Sequence, residues 1–132
     1  MGYSFTYDRP SDDAESGCGF NNWQMTYVRL IMLEAGAITG NGLLAALTTP
    51  GLEVTAQTLP AEKFMSNGGA HVTAAEAAFI AGRLRAALDA GVVADLLIFL
   101  DDAPGPAEVT DWVTEFATFN DRAAARAGYY VC

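Results

Sequence analysis

Alternating apolar and polar positions at the start of the chain predict a β-strand. In residues 3–7, three aromatic side chains share one face of an extended segment and two hydroxyl side chains share the other. Residues 129–132, which read Tyr-Tyr-Val-Cys, are a second strand candidate. We predict that these two strands pair and join both ends of the chain in one small sheet. Residues 8–19 are rich in turn formers and acidic side chains and predict a loop.

Apolar residues at helical spacing dominate the rest of the chain. The first predicted helix begins at a cap residue, Asn21 or Asn22, and runs to about Ala35, where Gly36 ends it. Its apolar residues occupy nearly the whole circumference, which is typical of a helix in the centre of a core or in an interface. Residues 43–47 predict one or two further helical turns.

The clearest helix begins at Thr73. Thr73 and Glu76 have the spacing of a capping box, in which each side chain accepts a hydrogen bond from the other residue's backbone. Apolar residues then recur at helical spacing as far as Gly91. Residues 92–100 are short and apolar enough for a buried strand, but we favour a helix because the run is rich in leucine and bounded by aspartates. Residues 52–59 alternate weakly and predict an edge strand or an extended loop.

The last predicted helix begins at Pro106, because proline is favoured in the first turn of a helix. Gly128 ends it. Its amphipathic stripe consists of Val109, Trp112, Val113, Phe116, Phe119 and Ala123. Together these elements predict a single helix-rich α+β domain spanning residues 1–132, with about four helices and a small antiparallel sheet that pairs the N- and C-terminal strands.

The composition leaves little polar cover for the surface. Hydrophobic residues make up 52% of the chain and charged residues only 17%. We therefore expect an exposed apolar face, and with it a homo-oligomer or a protein partner.

The charge of the chain disfavours two classes of partner. Sixteen acidic residues stand against seven basic ones, giving a net charge of −9. A surface of this sign repels nucleic-acid phosphates and anionic membranes, so we expect neither as a partner.

The chain has no apolar run of about 18 residues and no N-terminal secretion signal, and we expect a cytoplasmic protein.

The segment 63–76 concentrates the candidate chemistry. A Ser-Asn-Gly-Gly turn comes shortly before a predicted helix start, where backbone N–H groups attract anions. Lys63 could add positive charge, and His71, the only histidine of the chain, could transfer a proton. The ordinary interpretation is a tight turn that leads into a capped helix. The predicted ligand-binding residues of this segment are Lys63, Ser66, Asn67, Gly68, Gly69 and His71.

Other residues are candidates for binding or catalysis. Asn22 and Trp23 could line a ligand pocket in which the indole stacks on the ligand, although a core aromatic cluster is the ordinary interpretation. Cys18 could act as a nucleophile with His71 as its base, although it is also a typical small loop or core residue. No His/Cys spacing matches a zinc site and no acidic cluster matches a calcium-binding loop, so we expect no metal or other cofactor.

The segment from Lys63 to Glu76, with the terminal Gly-Tyr-Tyr-Val-Cys, resembles a group of small uncharacterised bacterial and phage proteins. Their pattern is Lys-Phe-x-Ser-Asn-Asp-Gly-x-x-Val-Thr-Pro-x-Glu, followed near the end by Gly-Gly-Phe-x-Val. This chain has Gly68 in place of the aspartate and Ala74 in place of the proline. The resemblance implies that the turn matters beyond local geometry, and it implies no catalytic residue. The missing aspartate argues against a metal or proton-transfer role.

These observations predict a small, cytoplasmic, non-enzymatic binding or interaction protein, such as a bacterial or phage accessory factor. Its partner would be an anionic small molecule or another protein. One alternative is a hydrolase or transferase that uses His71 as general base. Another alternative is a structural assembly protein with a large apolar interface on the helix of residues 23–33.

Overall fold

The fold combines helices with one antiparallel sheet. The structure is a computed structural model that describes residues 2–7, 17–40, 42, 51–66 and 68–132. Within these residues there are four α-helices and four β-strands, so the predicted α+β class is confirmed. The elements are β1 (Gly2–Tyr7), β2 (Gly17–Asn21), α1 (Asn22–Glu34), a 3₁₀ turn (Ala61–Phe64), β3 (Ala70–Val72), α2 (Ala74–Asp89), α3 (Val92–Leu97), α4 (Pro106–Ala123) and β4 (Tyr129–Val131).

The sheet joins both ends of the chain, as predicted. Its strand order is β2-β1-β4-β3, with every neighbouring pair antiparallel. Phe5 of β1 lies opposite Val131 of β4. The aromatic side chains of β1 are buried against the helices, while Ser4 and Thr6 are exposed on the other face. This alternation gives the sheet one covered and one open face.

Two strands were not predicted. The loop expected over residues 8–19 is wrong at its end, because Gly17–Asn21 pairs with β1 as an edge strand. Ala70–Val72 pairs with β4 at the opposite edge. Both strands are short and contain glycine or alanine, which have a low intrinsic β-propensity. Their extended conformation therefore depends on pairing with the neighbouring strands. Residues 8–16 lie outside the described part of the chain.

The first helix follows the predicted bounds. The Asn21 side chain accepts a hydrogen bond from the Gln24 N–H (2.8 Å), and the Gln24 side chain accepts one from the Asn21 N–H (3.0 Å). Gly36 ends the helix at φ +68°. One face is fully buried, whereas Trp23 is 51% exposed, so the apolar circumference is not covered at its first turn.

The connection after α1 is partly described. The predicted helical turns over residues 43–47 lie outside the described residues. Residues 52–59 form an extended loop, which was one of the two predicted alternatives, and Leu59 makes an isolated parallel bridge with Ile38.

The helices α2, α3 and α4 begin where the sequence predicts. The Thr73–Glu76 capping box is present, and the ambiguous run 92–100 contains a helix over Val92–Leu97. Pro106 occupies the first turn of α4. The last helix ends at Ala123, before Gly128, and a turn then leads into β4. Among the described residues, no helix is both long enough and apolar enough to cross a membrane.

Candidate functional site

The Lys63 side chain connects three elements of the fold. It lies in the 3₁₀ turn, and its ammonium donates to both carboxylate oxygens of Glu76 (2.9 and 3.1 Å). It also donates to the backbone carbonyl of His71 (2.9 Å). The side chain therefore connects the 3₁₀ turn to β3 and to the first turn of α2. Its positive charge is paired with the Glu76 carboxylate, and both side chains are partly buried.

The start of α2 is satisfied by its own residues. The Thr73 hydroxyl accepts from the Glu76 N–H (3.1 Å), and the Glu76 carboxylate accepts from the Thr73 N–H (3.0 Å). Burial raises the pKa of the Glu76 carboxyl, but the Thr73 N–H and the Lys63 ammonium outweigh burial and leave the pKa below its usual value. An external anion at this helix start would compete with a carboxylate that is already in place.

The glycine turn does not lie directly against α2. The unpredicted strand β3 separates them, and three extended residues span roughly 10 Å. Gly69, at φ +91°, donates its N–H to the Val131 carbonyl (2.7 Å) and so begins the pairing of β3 with β4. Ser66 and Gly68 are exposed beside it, and Asn67 lies outside the described residues.

His71 and Cys18 lie on opposite faces and opposite edges of the sheet. His71 stands on the open face in one cross-strand row with Tyr130 and Thr6, and its ring centroid is 4.7 Å from that of Tyr130. Cys18 lies opposite the buried Phe5, on the helix-facing side. The edge strands β2 and β3 are about 14 Å apart, because three strand spacings separate them. The structure does not bring this thiol and this imidazole together.

The Cys18 thiol is poorly suited to nucleophilic attack. Its Sγ lies 3.9 Å from a carboxylate oxygen of Glu115 on α4. Burial, and then the negative charge of Glu115, raise the pKa of Cys18 to about 12. The thiol is therefore protonated at neutral pH, whereas reactive cysteines have a lowered pKa.

The Asn22–Trp23 region is an exposed aromatic surface. The Trp23 ring contacts Tyr27 of the same helix (centroids 5.7 Å apart) and Trp112 of α4 (5.5 Å), both edge to face. Asn22 is exposed at the first turn, and its carbonyl accepts from the Thr26 hydroxyl (2.9 Å). Trp23 thus belongs to an aromatic cluster at the surface and not in the core, and its predicted role in ligand binding stays a prediction.

A further surface was not predicted from the sequence. Ile98 and Phe99, at the end of α3, are 77% and 63% exposed. Ile98 lines an open cleft of about 400 Å³ between α3 and the turn that leads into α4, and Phe99 is its neighbour in the chain. The sequence signal was the apolar run 96–100, since one short helix cannot direct five consecutive apolar side chains into a core. Leu96 and Leu97 are buried, and the next two residues project outward.

Negative charge surrounds these two side chains. Asp95 precedes them by one helical turn, and Asp101 and Asp102 follow them, all exposed. We define the α3 patch as Asp95, Ile98, Phe99, Asp101 and Asp102. No basic residue or histidine occurs between Arg85 and Arg122, whereas that segment contains eight acidic residues: Asp89, Asp95, Asp101, Asp102, Glu108, Asp111, Glu115 and Asp121.

Across the described ranges, no three His, Cys, Asp or Glu side chains are grouped closely enough to hold a metal ion. Compared with known proteins, the chain matches no family model, and no curated protein or solved structure is significantly similar to it. The resemblance stated for residues 63–76 therefore stays a prediction, and the chemistry of the surfaces carries the functional argument.

Proposed function

We propose that this chain is a non-enzymatic interaction protein that docks a basic segment of a partner protein on the α3 patch. The observation that carries the proposal is the exposure of two adjacent large apolar side chains, Ile98 and Phe99, of which Ile98 lines an open cleft. Single exposed apolar residues are ordinary on protein surfaces, but two adjacent large ones, with one of them lining a cleft, are typical of a contact site.

Burial of these side chains supplies the affinity in this proposal. Covering a side chain such as isoleucine or phenylalanine contributes about 1.5–3 kcal/mol. Two such anchors in the centre of an interface are enough to act as its principal binding determinants. The aspartates of the α3 patch would form the polar rim around them.

The charge of the rim selects the class of partner. Asp95, Asp101 and Asp102 favour lysine and arginine on the partner and increase the association rate by electrostatic attraction. A second copy of this chain, docked by the same patch, would bring two acidic rims together. We therefore favour a different, basic polypeptide over the homo-oligomer that the composition predicts. A cytoplasmic location and a role as a bacterial or phage accessory factor stay predictions.

The partner is first cross-linked to this protein in the cell that produces the protein, and is then identified. The purified partner is used for the binding measurements. Its Kd is measured by calorimetry with the wild type, with the double variant Ile98→Ser/Phe99→Ser, and with Val54→Ser. Val54 is a matched control because it is 52% exposed but lies in the loop before the 3₁₀ turn.

We expect the double variant to weaken binding by at least about tenfold, since each 1.4 kcal/mol changes Kd tenfold. Val54→Ser should leave the Kd unchanged, and added salt should weaken wild-type binding. Equal affinity of the double variant and the wild type would overturn the proposal, and so would a purified partner without a basic binding segment.

A further inference from the structure

The cleft beside the α3 patch contains a single polar side chain. Its apolar lining comes from the end of α3, which includes Ile98, and from the chain that enters α4, which includes Pro104 and Pro106. Asp102 is the only lining residue whose side chain is polar, and the preceding residue, Asp101, does not line the cleft. The cleft therefore combines apolar walls with one negative charge.

The polar groups of this lining are mainly hydrogen-bond acceptors. No lining side chain carries a donor, and the two prolines have no backbone N–H. The Leu100 N–H already donates to the Leu97 carbonyl (3.2 Å). Carboxylate and carbonyl oxygens thus predominate, and they favour a group that only donates, such as an ammonium or a guanidinium.

The Asp102 carboxylate has no basic partner among the described residues. Neither of the ion pairs found in that part of the chain involves it. Residues 86–121 contain no lysine, arginine or histidine, so no cation comes from the neighbouring sequence. A cation from another molecule would therefore not have to displace one of the protein's own.

We infer that this cleft binds one lysine or arginine side chain of the partner, with its cationic end at the Asp102 carboxylate. Long basic side chains lay their aliphatic stem on apolar surface and keep the charged end near water. The stem would cover the apolar walls of the cleft. The inference rests on the proposed function, because the α3 patch must hold the partner for its side chain to reach the cleft.

The shape of the cleft favours a side chain over a free small molecule. Sites for small molecules typically bury roughly 70–90% of the ligand surface, whereas this cleft is open. A side chain of a docked partner needs no such enclosure, since Ile98 and Phe99 supply the apolar contacts that hold the partner. An open cleft also leaves the charged end hydrated, which keeps the cost of desolvation small.

Asp102→Asn and Asp101→Asn form a matched pair of variants. Each removes one negative charge from the α3 patch, and both positions are exposed, but only residue 102 lines the cleft. Asparagine tolerates the left-handed backbone that Asp102 adopts at φ +55°. General electrostatic attraction should weaken by the same amount in both variants, whereas a cation in the cleft should respond more strongly to Asp102→Asn.

The first measurement does not need the partner. It compares N-acetylarginine amide with N-acetylcitrulline amide, which has nearly the same shape and no charge. The protein is labelled with ¹³C at its isoleucine δ-methyl groups and observed by NMR. Ile98 lines the cleft and reports binding, and the fully buried Ile80 reports any general change of the fold.

We expect the arginine derivative to shift the Ile98 signal at least about threefold more, at equal concentration, than the citrulline derivative does. Asp102→Asn should abolish this difference, and Asp101→Asn should keep it. The Ile80 signal should not move.

The second measurement uses the purified partner. Asp102→Asn should raise its Kd at least about threefold more than Asp101→Asn does. Each lysine and arginine of the partner's binding segment is then replaced by glutamine. One of these replacements should weaken binding to the wild type and have little further effect on binding to Asp102→Asn, which identifies the side chain in the cleft.

Two results would overturn the inference and leave the proposed function standing. They are equal Ile98 shifts with the arginine and citrulline derivatives, and equal effects of Asp101→Asn and Asp102→Asn on the Kd of the partner. Equal affinity of the wild type and the variant Ile98→Ser/Phe99→Ser would instead overturn the proposed function, and the inference with it.

Discussion

Replacing Gly128 by alanine tests the placement of the unpredicted strand β3. Gly128 connects the turn after α4 to β4, at φ +88°. A Cβ atom at this position would collide with the Val72 carbonyl oxygen of β3. Gly91, between α2 and α3, has a similar φ of +74°, but a Cβ atom there would meet nothing within 4 Å. Alanine would therefore strain the backbone at both positions, but its Cβ atom would collide with another residue only at position 128.

The expected loss of stability follows from these two contributions. An alanine in the left-handed region costs about 1–2 kcal/mol at either position. Alanine also lowers the conformational entropy of the unfolded chain. This effect is similar at both positions, so it cancels when the two variants are compared. At residue 128, β3 must also move away from β4, which weakens hydrogen bonds worth about 0.5–1.5 kcal/mol each. We therefore expect Gly128→Ala to cost about 3 kcal/mol or more, and Gly91→Ala about 1 kcal/mol.

Urea unfolding followed by circular dichroism gives the free energy of unfolding of the wild type and both variants. A difference of about 2 kcal/mol between the variants would agree with close contact of Gly128 and β3. Equal losses in Gly128→Ala and Gly91→Ala would refute the placement of β3 beside this turn.

Three further predictions concern buried or paired polar groups. Tyr129→Phe should cost about 1–3 kcal/mol in urea unfolding, because the buried Tyr129 hydroxyl donates to the Asn120 amide oxygen (2.7 Å), which would lose its partner. Iodoacetamide at about pH 8 should label the exposed Cys132 and spare Cys18, whose pKa burial and Glu115 raise to about 12, as peptide mass spectrometry would show. Glu76 has a lowered pKa in the folded state, so its stabilising effect is complete above the ordinary carboxyl pKa and lost as the pH falls through the lower value. The stability difference between the wild type and Glu76→Gln should therefore shrink from about pH 6 to about pH 3.

Each of these predictions has its own control or contradicting result. Tyr130→Phe, at an exposed position of the same strand, should change stability by less than about 0.5 kcal/mol. A loss in Tyr129→Phe no larger than this would contradict the buried hydrogen bond. Equal labelling of both cysteines would show that Cys18 is not held as a protonated thiol. A stability difference for Glu76→Gln that is constant with pH would contradict the lowered pKa.

The elements that could be predicted from the sequence are marked by patterns of residues close together in the chain. The alternation of residues 3–7 identified β1, and the Thr73–Glu76 capping box located the start of α2. Pro106 located the start of α4 in the same way. The strands β2 and β3 have no such signal, because their short segments are extended only where they pair with β1 and β4. Pairing between distant parts of the chain is not visible in the local pattern.

The candidate sites were predictable only in part. Trp23 was expected to line a ligand pocket or to lie in a core aromatic cluster; the structure leaves half of it exposed, and its binding role stays a prediction. Lys63 was expected to bind an external anion, but the fold places Glu76 beside it. The charge of Lys63 was evident from the sequence, whereas its partner depends on how the 3₁₀ turn packs against α2. Exposure of Ile98 and Phe99 depends in the same way on which face of α3 the other helices cover.

Native mass spectrometry of the protein purified at low salt from the cell that produces it tests the central claim most directly. The account predicts a complex with a basic polypeptide, and predicts its absence in the variant Ile98→Ser/Phe99→Ser. A homo-oligomer formed through the same two residues would contradict the account, and so would a partner retained in full by that variant.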